Sequence, residues 1–355
     1  MTAPSPSLPP PAVTPLPTPP MPPLPADLPP YLTLRPGALA TAASLLDLSR
    51  RVLVVTDTGV PPAYADAIAA ASRTPTRVVI PAGEPSKSPE RLFELHSALL
   101  RAGFDRRDCV VAVGGGVVGD LAGFAAATYM RGIDFYNVPT TLLAQVDSSI
   151  GGKTAIDFQG VKNVIGAFHP PRHVLIDPDL LSTLPRRQLL AGLAEAIKMA
   201  VTSDPALLDL IESDPALSSS TLPPIIRRAL LVKAAVVAAD PYESGLRRVL
   251  NYGHTLGHAI EAASAPSLLH GEAVAIGMLP FAAPPLRARL RALLLKVGLP
   301  VASPVPPSAL RPYLLHDKKS AGAAITAVYA DAPGAFHFAA TTPDALLALA
   351  SSIYP

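Results

Sequence analysis

Three histidines lie close together in this sequence, within NYGHTLGHAIE (251–261) and the HGEA segment that follows it. They are His254, His258 and His270, and most of their neighbours are apolar. Burying a polar ring without a partner is unfavourable, so apolar sequence should not gather imidazoles unless they have partners. In a helix, His254 and His258 would lie at i and i+4 on one face, a spacing that can share a divalent ion such as zinc. The alternative is a capped helix start, but the third histidine favours a metal site.

A second candidate site is the glycine-rich segment Gly114-Gly115-Gly116-Val-Val-Gly119-Asp120, which follows an apolar run and opens a helical pattern. Glycines let the backbone approach a pyrophosphate, and the start of a helix offers N–H groups to it. This context favours a dinucleotide or phosphate site over a turn that uses glycine only for steric reasons. Asp57 ends another apolar run, where it could hold a ribose hydroxyl or cap a helix, and the sequence leaves both roles open.

The segment PTTLLAQVDSSIGGKT (139–154) combines hydroxyls, an acid, two glycines and a Lys-Thr pair. It resembles a phosphate cradle but is not a Walker P-loop, because Asp147 stands where that motif needs a glycine. Lys162 and Asn163 add another cation and another amide. Lysines in glycine-rich loops indicate an anionic substrate.

Charged residues continue between this segment and the histidines. Glu195 and Lys198 lie at i and i+3 of a predicted helix, which in isolation is typical of a surface ion pair. Lys233, Glu243 and Arg247 follow. Together with the histidines, they offer carboxylate and imidazole ligands for a metal, surrounded by cations that suit a doubly anionic small molecule.

The composition argues against several other classes of protein. A net charge of +2, with no basic run longer than a pair, argues against nucleic-acid binding. Cys109 is the single cysteine, so no internal disulfide can form, and a reducing, cytoplasmic compartment is expected. The apolar run 110–130 is interrupted by glycines and Asp120, so no membrane span is predicted. Residues 1–30 contain fourteen prolines, which predicts a disordered or semi-rigid arm.

Strand-like and helical patterns divide the rest of the 355 residues into two predicted domains. Apolar runs at 51–57, 77–81, 109–113 and 135–139 alternate with helical patterns, which predicts a Rossmann-like α/β domain with a mostly parallel sheet over residues 31–177. From residue 178 the periodicity is helical, so residues 178–355 are predicted to form an all-helical domain.

Taken together, the motifs resemble those of 3-dehydroquinate synthases, which are sugar-phosphate cyclases. The similarity runs in family order across about residues 31–330. It is carried by GGGVVGDLAGFAAATYMRG, VPTTLLAQVDSSIGGKTAID, KNVIGAFHPP, GLAEAIK, VVAADPYESGLRRVLNYGHTLGHAIE, HGEAVAIGM and Asp317-Lys318-Lys319. The resemblance implies a homodimer of chains that each have an NAD-binding α/β domain and a helical domain, with the active site between them.

The resemblance also implies roles for individual residues. It assigns Zn²⁺ or Co²⁺ to Glu195, His254 and His270, and gives His258, which spacing alone would make a ligand, to the substrate phosphate. NAD contacts are implied for Asp57, Glu84, Lys87, Gly114, Gly115, Gly116, Asp120, Thr140, Thr141 and Lys162. Substrate contacts are implied for Arg131 (from the neighbouring subunit), Asp147, Lys153, Asn163, Lys198, Lys233, Arg247, Asn251, His258 and Lys318. Catalytic roles fall on Lys153, Lys198, Lys233, Glu243, Arg247, Asn251 and His258.

The implied reaction converts 3-deoxy-D-arabino-heptulosonate 7-phosphate to 3-dehydroquinate and phosphate, with NAD reduced and reoxidised within one turnover. Three alternatives stay open. One is a cyclase acting on sedoheptulose 7-phosphate, which should not need both Lys233 and Arg247. Another is a metal-dependent polyol dehydrogenase, against which Lys153, Asn163 and Asn251 speak. The third is an inactive paralogue.

One segment departs from the family pattern directly after the third histidine. Pro280, Pro284 and Pro285 stand where the family continues a helix, and proline breaks a helix interior. This segment predicts a shortened and poorly packed connection in the helical domain, and it is the support for the inactive-paralogue alternative. Pro241 and Tyr242 also replace charged residues that are usual before Glu243.

Overall fold

The structure is a computed structural model that describes residues 13–321 and 324–354, with only the backbone described for residues 316–321. Its strands are β1 (Thr14–Leu16), β2 (Leu32–Leu34), β3 (Arg51–Asp57), β4 (Thr74–Ile80), β5 (Cys109–Gly114), β6 (Asp134–Pro139), β7 (Lys153–Phe158), β8 (Val161–Phe168), β9 (His173–Ile176), β10 (Ile325–Ala332) and β11 (Ala335–Thr341). Its α-helices are α1 (Ala42–Leu45), α2 (Pro62–Ala71), α3 (Pro89–Arg101), α4 (Gly116–Thr128), α5 (Arg186–Ser203), α6 (Pro205–Ser213), α7 (Leu222–Ala239), α8 (His254–Ser264), α9 (His270–Met278), α10 (Pro284–Val297), α11 (Pro307–Ala321) and α12 (Pro343–Ala350).

The chain divides into two compact units. Of the described residues, the sheet unit comprises Pro22–Ala196 and Ala216–Tyr242, and the helical unit comprises residues 13–21, Ile197–Pro215, and residues 243–321 and 324–354. The division falls inside α5 and differs from the predicted boundary at residue 177, because residues 178–196 and 216–242 group with the sheet. This α/β unit and helix-rich remainder confirm the predicted fold class.

Six parallel strands form the sheet of the sheet unit, in the order β2-β9-β6-β5-β3-β4. Successive side chains of a strand point to opposite faces, and a parallel sheet is covered on both. Accordingly, Leu53 and Val55 join one buried cluster with α3 and α4, whereas Val52 and Val54 join another with α1 and α2. The predicted continuous apolar run of β3 is therefore explained by burial on both faces.

The segment between the parallel strands β6 and β9 contains a hairpin that the sequence did not predict. β7 and β8 pair in antiparallel fashion, with Lys153 opposite Phe168. β7 buries Thr154, Ala155 and Ile156, whereas nearly all of β8 is exposed. Alternation is weak in β8, so its sequence does not show the usual pattern of a half-buried strand.

The helical unit contains a small sheet in addition to its helices, so the all-helical prediction for residues 178–355 was incomplete. β10 and β11 form an antiparallel hairpin, and β1 pairs with the other edge of β11, with Leu16 opposite Phe338. The disordered-arm prediction is therefore wrong for residues 14–16, whereas residues 1–12 lie outside the described part of the chain. Pro15 is tolerated because β1 is an edge strand, where a missing N–H need not break the ladder.

The proline-rich connection after α9 is well packed, contrary to the prediction. α9 ends at Met278, a 3₁₀ turn follows over Leu279–Phe281, and Pro284 opens α10, where the absence of an N–H is harmless. Leu279 and Phe281 are buried, and Ala283 N donates to Ala330 O at 2.9 Å. The prolines thus separate two helices instead of breaking one.

Candidate active-site residues

The three histidines converge in the helical unit. His254 and His258 lie on the first two turns of α8, and His270 opens α9. One ligand nitrogen from each ring lies within 4.8 Å of the others, and among the described residues these side chains form the one such metal-type group. Imidazole nitrogens are common ligands of Zn²⁺ and Co²⁺, so this histidine cluster fits a divalent ion of that kind.

Two of these rings are oriented by acceptors at Nδ1. His254 Nδ1 lies 3.1 Å from Tyr252 O, and His270 Nδ1 lies 2.9 Å from Glu261 Oε2. A carbonyl or carboxylate oxygen only accepts, which assigns the hydrogen to Nδ1 and leaves Nε2 as the metal-binding nitrogen. Metal-binding histidines usually have such outer partners. The sequence had given no role to Tyr252 or Glu261.

Close packing of α8 against α9 sets the distance between the rings. A Cβ added to Gly277 would lie 2.2 Å from Gly253 O, so only glycine allows this approach. The fully buried Tyr252 donates from its hydroxyl to Met278 O at 2.9 Å, and Glu272 Oε2 accepts from Leu269 N at 2.8 Å just before His270. These contacts tie the start and end of α9 to the histidine segment.

Three further predicted residues precede the histidines in the same unit. Arg247 and Asn251 lie on a 3₁₀ helix, and Asn251 Nδ2 donates to Glu243 Oε1 at 2.7 Å. Arg247 is only 2% exposed. Glu243 has a left-handed backbone conformation (φ 60°), which is uncommon for a residue with a side chain and is concentrated at functional sites.

In the sheet unit, the glycine turn connects β5 to α4 as predicted. Gly115 is the N-cap of α4, and a Cβ on it would lie 3.0 Å from Thr141 Cγ2. Thr140 N donates to Gly114 O at 3.0 Å, which places both threonines beside the turn. A bare backbone at a helix N-terminus fits the pyrophosphate of a dinucleotide. Asp57 accepts from Gly59 N at 2.7 Å, and the N-cap of α2 is Pro61, so the helix-capping alternative for Asp57 is wrong.

A charged network lies at the first turns of α4. The buried Lys87 Nζ donates to Asp120 Oδ2 at 2.8 Å and also to Asn163 Oδ1, and Glu84 Oε1 lies 3.7 Å away. Burial raises the pKa of Asp120 to about 6, although Lys87 opposes the rise. Burial by itself would lower the pKa of Lys87, but Asp120 and Glu84 outweigh it and the pKa is raised. We call these residues the Lys87 network.

A second ion pair in the sheet unit joins two predicted substrate contacts. Lys233 Nζ on α7 donates to Asp147 Oδ1, which lies in a short π-helical turn at Ala144–Ser148. Lys233 is 7% exposed, whereas Lys153 at the start of β7 is exposed. On α5, Glu195 and Lys198 are each 1% exposed, so the alternative of a surface ion pair is wrong.

The other predicted residues are exposed, or their side chains lie outside the described residues. Arg131 is exposed and left-handed (φ 68°), and Asn163, exposed on β8, is left-handed as well (φ 54°). Lys162 is also exposed on β8. The side chain of Lys318, on α11, lies outside the described residues.

Among the helices that the structure describes, none combines the length and the apolar character needed to cross a membrane.

The sheet unit has a parallel sheet with a glycine turn, and the helical unit has the histidine cluster. These features define a class of proteins with one candidate nucleotide site and one candidate metal site. Residues 77–191 match the family model of the 3-dehydroquinate synthase N-terminal region, and residues 192–320 match that of the C-terminal region. The chain belongs to the 3-dehydroquinate synthase family.

Individual relatives agree with this. A 3-dehydroquinate synthase from Geobacter metallireducens is 49% identical over 310 residues, covering 82% of this chain and 86% of its own. The structure is similar to that of 2-epi-5-epi-valiolone synthase from Streptomyces hygroscopicus with NAD⁺ and Zn²⁺ bound, at 31% identity and a TM-score of 0.84 over 91% of this chain and 96% of that one. It is also similar to 2-deoxy-scyllo-inosose synthase complexed with carbaglucose-6-phosphate, NAD⁺ and Co²⁺, at 27% identity and a TM-score of 0.82 over 90% and 95%.

Proposed function

We propose that this chain is a carbon–oxygen lyase that converts 3-deoxy-D-arabino-heptulosonate 7-phosphate to 3-dehydroquinate and inorganic phosphate. The observation that carries the proposal is the histidine cluster, whose rings are oriented for a metal in a chain that also has a family-type glycine turn. The higher identity to a 3-dehydroquinate synthase (49%) than to 2-epi-5-epi-valiolone synthase (31%) favours this substrate over that of another cyclase.

The metal centre of the proposal uses His254 and His270, with Glu195 as its carboxylate ligand by family resemblance. His258 is more exposed than the other two histidines, which supports its proposed role as a contact to the substrate phosphate. A divalent ion held here supplies Lewis-acid chemistry that lowers the pKa of substrate hydroxyls. The backbone carbonyl of Tyr252 holds the hydrogen of His254 at Nδ1, so that Nε2 of this ring keeps its lone pair for the ion.

For the nucleotide, we propose the glycine turn, the Lys87 network and the residues beside them. NAD supplies a recycled hydride acceptor and donor. Gly115 and the start of α4 would hold the pyrophosphate, and Asp57, Thr140, Thr141 and Lys162 would complete the contacts. The left-handed conformation of Asn163 supports a functional role, because such backbone is retained where surrounding contacts enforce it.

Buried cations support an anionic substrate. Lys198, Lys233 and Arg247 are at most 7% exposed, and cations of this kind suit a doubly anionic small molecule, such as a substrate with a phosphate and a carboxylate. Lys233, held by Asp147, and Arg247 are the proposed carboxylate contacts, and Lys153, Asn163, Asn251 and Lys318 are further substrate contacts. These groups bind and orient the substrate, which is a large part of catalysis in a cofactor enzyme.

The expected homodimer belongs to this proposal, with Arg131 reaching the neighbouring subunit. Its support is the apolar exposure of the β7–β8 hairpin, where Val161, Val164, Ile165 and Phe168 are each at least 37% exposed. An exposed strand of this kind invites pairing unless it is covered. We expect Val164→Asp to shift the protein toward monomer in sedimentation velocity, whereas Leu100→Asp, an exposed leucine on α3, should leave the dimer intact. A monomeric wild-type protein would contradict the proposal.

The deciding experiment supplies purified protein with NAD⁺, Zn²⁺ or Co²⁺, and the heptulosonate phosphate. We expect inorganic phosphate and 3-dehydroquinate without net NADH, and loss of both on chelation. Stoichiometric NADH would favour the polyol dehydrogenase, a preference for sedoheptulose 7-phosphate would favour another cyclase, and no turnover with any of them would favour an inactive paralogue. Lys233→Ala should weaken the binding of the acid substrate far more than that of a carboxylate-free analogue. Equal losses of affinity would contradict the contact between Lys233 and the carboxylate.

A further inference from the structure

One carboxylate beside the histidine cluster has no role implied by the family resemblance. Glu261 lies on α8, three residues after His258, and its Oε2 is 2.9 Å from Nδ1 of His270 on α9. We propose that Glu261 is a positioning residue of the metal centre, which fixes the tautomer and the orientation of His270 and strengthens it as a ligand. This inference rests on the metal site of the proposed function but not on the reaction.

The tautomer follows from the chemistry of the two groups. An ionised carboxylate can only accept, so the hydrogen of neutral His270 stays on Nδ1 and Nε2 keeps its lone pair. Without this acceptor, both tautomers of the ring are accessible, and one of them presents N–H instead of a lone pair to the ion. The negative charge of Glu261 also makes the imidazole a stronger base and a stronger ligand.

The location of Glu261 makes this contact effective. Residues at i, i+3, i+4 and i+7 share one helix face, so Glu261 lies on the same side of α8 as His254 and His258. The side chain of Glu261 is 17% exposed, which limits competition by water for the hydrogen bond. Because Gly257 and Gly277 bring the two helix backbones into direct contact, the span from Glu261 to the first residue of α9 has little freedom to change.

The rings of His254 and His270 are oriented by different kinds of acceptor. For His254 the acceptor is the backbone carbonyl of Tyr252, which a substitution cannot remove, whereas for His270 it is the side chain of Glu261. Glu261 is therefore the position at which orientation can be tested by substitution without changing an assigned ligand.

The experiment uses the full chain, stripped of metal and free of NAD and substrate. Co²⁺ and Zn²⁺ affinities are measured by competition with a chromophoric chelator, and the absorption spectrum of bound Co²⁺ is recorded. We expect Glu261→Ala to weaken binding by about 10–100-fold, the range for outer partners of metal ligands, and to alter the Co²⁺ spectrum. Glu261→Gln, whose amide oxygen still accepts from Nδ1–H, should lose less than Glu261→Ala.

Controls separate this role from a general loss of structure. Glu212→Gln removes a carboxylate that pairs with Arg289 in the same unit, and it should leave the affinity unchanged. The metal-free Glu261 variants should unfold at the same denaturant concentration as wild type. Unchanged Co²⁺ affinity and spectrum in Glu261→Ala would overturn the proposal, as would losses that match a loss of metal-free stability.

Failure of the proposed function would look different. If wild type binds Co²⁺ tightly and the Glu261 series behaves as expected but no phosphate is released from the heptulosonate, the reaction is wrong and the positioning role stands. If wild type binds neither ion more tightly than a His254→Ala/His270→Ala variant, the metal centre and the role of Glu261 are both overturned.

Discussion

The histidine cluster and the Lys87 network differ in how far apart their members lie along the chain. His254, His258 and His270 lie within seventeen residues on two helices in direct contact. Lys87 and Asp120, by contrast, come from segments separated by α3 and β5, and Asn163 comes from the β7–β8 hairpin beyond them. The first group is therefore held by the packing of two neighbouring helices, and the second by contacts between segments that lie far apart in the sequence.

This difference has a consequence for substitutions. The histidine cluster offers ring nitrogens as ligands for an ion, so losing a ring should lower the affinity for that ion. In the Lys87 network, the charges of Lys87 and Asp120 neutralise each other inside the protein. Losing one of them leaves the other charge buried without its partner, which is unfavourable. Substitutions in the first group should change ligand binding, and those in the second should also change stability.

The largest effect is expected for a lost ring. His254→Ala should lower kcat/KM by at least about 10³-fold, equivalent to about 4 kcal/mol, because a direct ligand is removed. The affinity for NAD⁺, measured by isothermal titration calorimetry, should stay within about threefold of wild type. An equal fall in NAD⁺ affinity would show that the two groups are not separable in this way.

Breaking the Lys87 network should come next. Lys87→Met leaves Asp120 without its buried cation and should lower the free energy of unfolding by about 3 kcal/mol, measured in urea. The double variant Lys87→Met/Asp120→Asn should recover part of this loss. Arg91→Met, which breaks an exposed pair with Glu94, should cost less than about 1 kcal/mol and serves as the control. A larger loss in the control would contradict the role of burial.

Two glycines in close contacts, Gly277 in the helical unit and Gly115 in the sheet unit, allow a further comparison. Gly277→Ala should destabilise the protein by about 2 kcal/mol and weaken metal binding, because its Cβ would meet a backbone oxygen at 2.2 Å. Gly115→Ala should lower the stability less, because its Cβ would meet a side-chain methyl at 3.0 Å. It should instead weaken the binding of NAD⁺. Urea unfolding and ligand titration of both variants test this, and the reverse order of stabilities would refute it.

A change of pH should also alter the stability, through Asp120. The pKa of Asp120 is raised by burial from 3.8 to about 6, so the folded protein binds this proton more tightly than the unfolded chain does. Its contribution to stability is therefore fully present below about pH 4 and is lost as the pH rises through 6. Relative to Asp120→Asn, wild type should lose up to about 1.4 kcal/mol per pH unit in this window. A constant difference between pH 4 and pH 7 would rule out the shift.

Hydrophobic patterns predicted secondary structure correctly for strands that are buried on both faces and for helices with regular spacing. The strands at 51–57 and 109–113 and the helix at His254 appear close to their predicted bounds, because continuous apolar runs and helical spacing each imply one kind of burial. The hairpin β7–β8 and the sheet of β1, β10 and β11 were missed. β8 lacks alternation, and β1 exists only because β11 offers it an edge.

The sequence by itself determined the family, the parallel sheet, the glycine turn and the histidines that form the cluster, because each depends on residue types at short and fixed spacings. Tertiary structure decided how the side chains are used. It showed Glu261 and Tyr252 at the rings, Lys87 between Asp120 and Asn163, and Pro284 as a helix start. Contacts of this kind depend on which elements pack together and how closely, and spacing along the chain does not encode that.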